Sequence, residues 1–293
     1  MRLSGLHLLL TYRCDQACKH CFVWGSPRQH GTLGLSGIVE ILDQAEHLGS
    51  IEWIYFEGGE PFLYYPILLQ GIRKAHVAGF HVGVVTNAYW ATGFIEAVTW
   101  LRPLVGLVED LSVSSDPYHS DGSLSRGPEH AKEAAAQLGI PTSTIAVAQP
   151  GERNEGLDPL MFRGRAAVEL ANGVPHRPWD TFDTCPYEDL RAPGRIHIDP
   201  LGHTHVCQGI SIGNVFSDPL EGLCANWEPE HDPILGPLIR GGPAELVRHH
   251  AVGHRSAYAD ACHLCYEIRL ALRGQFPKTL APDQMYGVAG WDE

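Results

Sequence analysis

The chain has 293 residues, 44% of them apolar, enough to bury a sizeable core as one large domain or one domain with a small appendage. Its formal charge of −13, with only 21 basic residues spread along the chain, argues against a nucleic-acid partner, whose phosphates call for clustered Lys and Arg. The longest apolar runs fall well short of the ~18 residues of a membrane helix and no export signal opens the chain, so a cytoplasmic protein with no membrane partner is expected.

In chain order, strands are expected at residues 6–12, 53–57, 81–87, 110–115 and 143–149, alternating with amphipathic stretches at 35–47, 66–78, 94–100 and 128–138. This is the rhythm of βα units on a parallel sheet. Each strand runs into a segment with chemical character: Cys14 to Cys21, then Gly58-Gly59-Glu60-Pro61, then Asn87, then Ser114-Ser115-Asp116, then Gln149-Pro150-Gly151. Ligand sites of parallel α/β folds collect at the C-terminal strand ends, so these segments are expected to face one site. Only about a dozen residues lie between the fifth strand and the stretch 161–170, too few for a full crossover, and a sixth unit is expected to be abbreviated. Beyond residue 170 the periodic stretches give way to Pro, Gly and His. A first domain over 1–170 is therefore expected to be followed by a smaller, loop-rich one over 171–293, which a metal site would help to hold.

The chain has eight cysteines, and without an export signal they read as metal ligands before they read as disulfides. Cys14, Cys18 and Cys21 form a C-x3-C-x2-C string directly after the first strand. Three thiolates can hold three irons of a cubane cluster and leave the fourth iron free to bind a small molecule. A zinc knot completed by His20 or Asp15 competes with this reading, although structural zinc sites usually arrive as paired C-x2-4-C strings or with H-x3-5-H.

Taken together, the cysteine string and the FEGGEP sequence at 56–61 resemble the radical S-adenosylmethionine (SAM) superfamily. The resemblance implies an α/β fold, a TIM-like partial (β/α)6 barrel, with a [4Fe–4S] cluster on Cys14, Cys18 and Cys21. SAM binds the open iron in that family, and one electron from the cluster cleaves it to a 5′-deoxyadenosyl radical; a flavodoxin or ferredoxin is the implied reductant. Gly58, Gly59, Glu60 and Pro61 match the motif that receives the SAM ammonium, and glycines with a carboxylate suit close approach to a cation. Ser114 and Asp116 fall where the family faces the SAM carboxylate and ribose. Asn87 ends a TNG-type motif in which Ala88 replaces the glycine. His20 stands where an aromatic residue usually packs on adenine, with Phe22 as the neighbouring candidate.

Cys185, the string Gly202-x4-Cys207 and the pair Cys262-x2-Cys265 resemble the auxiliary-cluster domain of SPASM and twitch proteins, a small unit of β-hairpin and helix. That likeness implies a second [4Fe–4S] cluster, fully ligated and suited to electron transfer. Four cysteines also make a common zinc set. Cys224 is left over as a small buried hydrophobe. Arg163 and Arg165, in the string RGRA, stand where similar enzymes carry Gly-Arg-Ala, placed to bind a carboxylate or the surroundings of the auxiliary cluster. Tyr118 and His119, just past the fourth strand, are the acid–base candidates. The 17 histidines are mostly scattered singly. The pairs at 203/205 and 249/250 match no metal spacing, and the histidines outside the motifs are read as surface or core residues.

The implied activity is abstraction of a hydrogen atom from a small polar substrate, with a second electron leaving through the auxiliary cluster. The alternative is a peptide-modifying enzyme that makes crosslinks or epimerises. A chain that starts almost directly on its first barrel strand, without a peptide-recognition domain ahead of it, favours the former. An iron–sulfur or zinc scaffold without chemistry is the non-enzyme reading.

Overall fold

The structure is a computed structural model, described over residues 1–119, 126–149 and 157–288. Strands β1 (Gly5–Thr11), β2 (Trp53–Gly58), β3 (His81–Thr86), β4 (Asp110–Ser114) and β5 (Thr142–Ile145) alternate with helices α1 (Leu35–Leu48), α2 (Tyr65–Val77), α3 (Phe94–Leu101) and α4 (Gly127–Leu138). The strands lie side by side in sequence order, and every neighbouring pair is parallel. The mixed α/β class and the partial-barrel arrangement expected from the sequence are what the chain adopts.

The helices form for ordinary reasons. In α1, Ile38, Ile41, Leu42 and Ala45 recur at the spacing that puts one apolar stripe against the sheet. Gly49 ends the helix in a left-handed conformation, and its N–H returns to the carbonyl of Ala45.

β5 stops at Ile145, four residues before its expected end at 149. The sixth unit is reduced, among the described residues, to one parallel bridge between Val147 and Asp158, and the short helix α5 (Arg165–Glu169) follows. Of the expected fifth segment, Pro150 and Gly151 lie outside the described residues. The chain then makes a two-residue strand β6 (Arg177–Pro178), the strands β7 (Arg195–Ile198), β8 (His203–Cys207) and β9 (Ile210–Asn214), and helices α6 (Leu220–Ala225) and α7 (Leu235–His250). Helix α7 is broken at Gly241 and Gly242. Strand β10 (Ala257–Tyr258), which pairs with β6, and helix α8 (Ala261–Leu272) follow.

β7 pairs in parallel with the free edge of β1, and β8 and β9 continue antiparallel from it. The hairpin carrying Cys207 is thus an extension of the barrel sheet itself. Apolar side chains from both halves of the chain share one continuous core. Among the described residues no helix is long and apolar enough to cross a membrane.

The two faces of the sheet differ. Leu6, Leu8, Ile54, Phe56, Val82, Val84, Leu111, Val113, Ile196 and Ile198 are fully buried, as the helix-facing set of the two-residue alternation. The alternate positions carry His7, Tyr55, Glu57, His81, Asp110, Ser112, Ser114, Arg195 and His197, with Leu9, Trp53 and Val85 among them, so this face is mostly polar. Parallel sheets covered on both sides read as nearly continuous apolar runs. A polar inner face means that this side of the sheet borders a wet space.

Candidate functional site

The C-terminal strand ends converge on a cavity of about 480 Å³. Its wall includes Cys14, Cys18, Cys21, His20, Phe22, Gly58, Gly59, Asn87, Ser114, His119 and Arg163. The segments that the sequence scatters over 150 residues are therefore neighbours, as strand-end loops of a parallel sheet must be.

The cysteine loop is fixed mainly by backbone contacts. Gly59 N–H donates to the carbonyl of Thr11 at 2.6 Å and Glu60 N–H to that of Arg13 at 2.9 Å, drawing the end of β2 against the loop's first residues. A Cβ on Gly59 would stand 2.2 Å from the Arg13 carbonyl oxygen, and one on Gly58 2.5 Å from that of Thr11. Only glycine permits this approach.

At the other end of the loop, Gly164 adopts a φ of +58°, and a Cβ there would meet the Cys21 carbonyl and the Phe22 Cα at 2.7 Å. Beside it the buried Arg165 donates from Nη1 to the carbonyl of Cys18 at 2.7 Å and from Nη2 to that of Gly25 at 2.9 Å, while its backbone N–H reaches the Cys21 carbonyl at 3.0 Å. Arg165 thus touches the loop rather than the cavity.

The three thiols fit a metal cluster. Backbone N–H groups of Gln16 and Gly25 donate to the sulfurs of Cys14 and Cys21 at 3.4 and 3.2 Å, and Asn87 Nδ2 stands 3.6 Å from Cys14 Sγ. Burial pushes the Cys14 and Cys18 thiols up, Cys18 to about 12. Sulfurs so placed are stabilised as thiolates by bound cations, and these donors suit sulfur that carries negative charge.

Glu60 takes a different part from the one expected of it. Its carboxylate is fully buried and accepts from Phe62 N–H at 3.0 Å, Thr86 Oγ1 at 2.9 Å and Asn87 N–H at 2.8 Å. Burial pushes its pKa up to about 8 against those hydrogen bonds. It caps the short 3-10 turn Pro61–Tyr64, with Pro61 in the first position where a missing N–H costs nothing. In this structure the carboxylate ties β2 to β3, and the two glycines supply the cavity wall.

Asn87 lines the cavity, held by its Nδ2 on Asp15 at 2.8 Å and by its Oδ1 accepting from Tyr89 N–H at 2.9 Å. Ala88, where the resembling motif has glycine, sits at a φ of +61°, a left-handed conformation that glycine adopts without strain.

Asp116 does not reach the wall. Its oxygens serve Tyr118 N–H at 3.0 Å, His119 Nδ1 at 2.8 Å and Val147 N–H at 3.3 Å. His20 stacks on Tyr118, with ring centroids 4.7 Å apart, and meets His119 edge-on at 4.8 Å. Burial lowers the His20 pKa to about 4, so its ring is neutral. Of the two acid–base candidates, His119 lines the cavity, whereas Tyr118 backs the His20 ring.

The second cysteine set also comes together. Cys185 lies in a loop, Cys207 ends β8, and Cys262 and Cys265 share one face of the first turn of α8, which Asp260 caps by accepting from His263 N–H at 2.7 Å. All four line one small space of about 20 Å³, together with Arg163 and Arg269. Burial raises the Cys185 thiol to about 12 and the Cys262 thiol well above its ordinary value. Four half-buried thiols beside the buried Arg269 and the half-buried Arg163 suit a metal centre of net negative charge. Arg163 belongs to both walls: its Nη1 is 3.8 Å from Cys207 Sγ and its guanidinium lies over the Phe22 ring at 5.2 Å. Cys224 lies elsewhere, buried in the apolar core. The sequence reading missed Tyr187 and Glu188, which line both spaces, and Arg269. Only their proximity to Cys185 and Cys265 hinted at them.

Residues 8–121 match the model of the Radical SAM superfamily. The chain is 34% identical over 86 residues to the tungsten-containing aldehyde ferredoxin oxidoreductase cofactor-modifying protein of Pyrococcus furiosus, covering 29% of this chain and 24% of that protein. It is 32% identical over 82 residues to an S-adenosylmethionine-dependent nucleotide dehydratase of Selenomonas ruminantium, 28% of this chain and 29% of that one. A putative peptide biosynthesis protein of Bacillus subtilis, YydG, is 26% identical over 112 residues, covering 38% and 35%. The matches thus take in between about a quarter and a third of each relative. Streptococcus suis SuiB, solved with its precursor peptide SuiA, overlays with a TM-score of 0.39 at 13% identity, over 84% of this chain and 70% of that one, too loosely to decide anything. The matched segment spans Cys14, Cys18 and Cys21, the Gly-Gly-Glu-Pro string and the fourth strand end, and over these residues the chain is similar to the radical SAM superfamily.

Proposed function

We propose that the chain is a radical SAM enzyme that takes a hydrogen atom from a small polar substrate held over the C-terminal strand ends. The observation that carries this reading is the convergence of three thiols, two wall-forming glycines, Asn87 and Ser114 on one cavity bordered by a polar sheet face. A [4Fe–4S] cluster on Cys14, Cys18 and Cys21, together with SAM, supplies a 5′-deoxyadenosyl radical that can take hydrogen from C–H bonds no side chain can deprotonate.

The chain's own residues position and shield. Gly59, Gly164 and Arg165 fix the cysteine loop from both ends. The neutral ring of His20, backed by Tyr118, and the ring of Phe22 offer flat surfaces for a purine. His119, its Nδ1 held by Asp116, has Nε2 left to accept a proton from the substrate. Cys185, Cys207, Cys262 and Cys265 are assigned a second [4Fe–4S] cluster, which supplies an acceptor for a single electron in an oxidation. Arg163 and Arg269 balance its charge of about −2 with four thiolates.

Likeness to YydG supports a second reading, in which the substrate is a peptide that is crosslinked or epimerised. The polar inner sheet face favours the small substrate.

Anaerobically reconstituted protein given dithionite and SAM should release 5′-deoxyadenosine, and Cys18→Ala should not. Absence of product from the wild type defeats the proposal. Acceleration by a set of nucleotides and other small polyols, but not by peptides, separates the two substrate classes.

A further inference from the structure

The inner face of the barrel sheet brings together three ligand-type side chains that the cysteine site leaves unused. His7 on β1 and His197 on β7 are direct partners across the two strands, and Glu57 on β2 is two residues beyond Tyr55, which lies opposite His7 on the other side. Alternation turns all three to the polar face, away from the helices.

Glu57 sits between the rings, its Oε2 3.2 Å from His7 Nδ1 and its Oε1 3.2 Å from His197 Nε2. The ligand atoms all lie within 4.8 Å of one another. Tyr55 stacks on His7 at 4.8 Å and Phe22 meets His197 edge-on at 6.4 Å, so both rings are held in place. Glu57 borders the large cavity, and the three side chains are only 12–19% exposed.

A carboxylate shared by two imidazoles is commonly no more than a hydrogen-bonded trio. The angles argue otherwise. Glu57 Oε1 is buried and makes no hydrogen bond of acceptable geometry, although His197 Nε2 is 3.2 Å away. Two atoms that are close yet misaligned are what ligands of a common ion look like: each ~2.1 Å from the centre, they stand ~3 Å apart with lone pairs aimed at the ion rather than at one another.

We propose that His7 Nδ1, His197 Nε2 and the Glu57 carboxylate bind one first-row divalent cation at the base of the substrate cavity. Two imidazoles and one carboxylate suit Mn²⁺, Fe²⁺, Co²⁺ or Zn²⁺ and leave coordination positions open. An ion so placed orients an oxygen of the substrate from the sheet side. The site is built without cysteine, and its existence does not depend on SAM cleavage.

The test uses the anaerobically reconstituted full chain with oxidised clusters, titrated with Mn²⁺ while the six-line resonance of free Mn²⁺ is followed. The wild type should bind about one Mn²⁺ per chain, and bound Mn²⁺ should show electron spin-echo modulation from imidazole nitrogen. Glu57→Gln, His7→Gln and His197→Gln should each weaken binding by at least about tenfold, while His250→Ala should not. If the wild type takes up neither Mn²⁺ nor Co²⁺ at millimolar concentration, or shows no nitrogen modulation, the site does not exist. Unchanged binding in folded Glu57→Gln protein, checked by circular dichroism, overturns the assignment equally. The modulation experiment needs no variant and stands even if a substitution unfolds the chain.

Discussion

The front and rear cysteine sets are built in opposite ways. Cys14, Cys18 and Cys21 come from one eight-residue loop, pinned by glycine contacts and Arg165, and face a cavity of about 480 Å³. Cys185, Cys207, Cys262 and Cys265 come from three separate places and close on about 20 Å³ with two arginines. Three ligands on the wall of the large cavity leave room for a substrate-like partner at the metal, whereas four around so small a space leave none. The first arrangement suits chemistry and the second suits electron storage or structure. Arg163, which with Tyr187 and Glu188 lines both spaces, stands 3.8 Å from Cys207 Sγ and lies over the Phe22 ring, and so links the two.

The largest effect separates the sets. Cys18→Ala should lower 5′-deoxyadenosine release on the order of a thousandfold or more, measured chromatographically, because no other side chain replaces the thiolate. Cys262→Ala with Cys265→Ala should keep SAM cleavage within about tenfold while bound iron falls from about eight to about four per chain. Zinc in place of the lost iron would instead make the rear set a structural site.

The two arginines sharpen the contrast. Arg165→Met removes the side-chain donors to the carbonyls of Cys18 and Gly25, leaving Cys18 only the Cys21 N–H, and should cost about 3 kcal/mol, seen as a lower Tm and incomplete front-cluster loading. Arg163→Met removes a positive charge beside Cys207 and should move the rear potential down by on the order of 50 mV, read by redox titration, with a smaller effect on stability. A shift confined to the front cluster would contradict the position assigned to Arg163.

The smallest effect tests a single backbone angle. Ala88→Gly relieves a left-handed conformation worth about 1–2 kcal/mol but frees the unfolded chain by about 0.4–1 kcal/mol, so Tm should rise by no more than a few degrees in a calorimetric scan.

The barrel strands and their helices were legible because alternation and 3.6-residue periodicity are local, and observed ends fall within two residues of the expected ones except for β5. The cysteines were legible because metal ligands announce themselves by residue type and spacing. The roles of Glu60 and Asp116 were not, since a carboxylate beside a motif reads alike whether it faces a ligand or caps backbone N–H groups. Nor was the position of the Cys207 hairpin, because pairing of β7 with β1 joins residues some 190 apart. Nor was the meeting of two histidines that the sequence shows as isolated: His7 and His197 come together across that same pairing, with Glu57 between them.

The most direct measurement of the central claim is electron paramagnetic resonance of the dithionite-reduced Cys262→Ala/Cys265→Ala protein, in which only the front cluster remains. Added SAM should change the cluster signal, because it binds the iron that the three thiolates leave free. A signal indifferent to SAM, or a front site that holds zinc and no iron, contradicts the account.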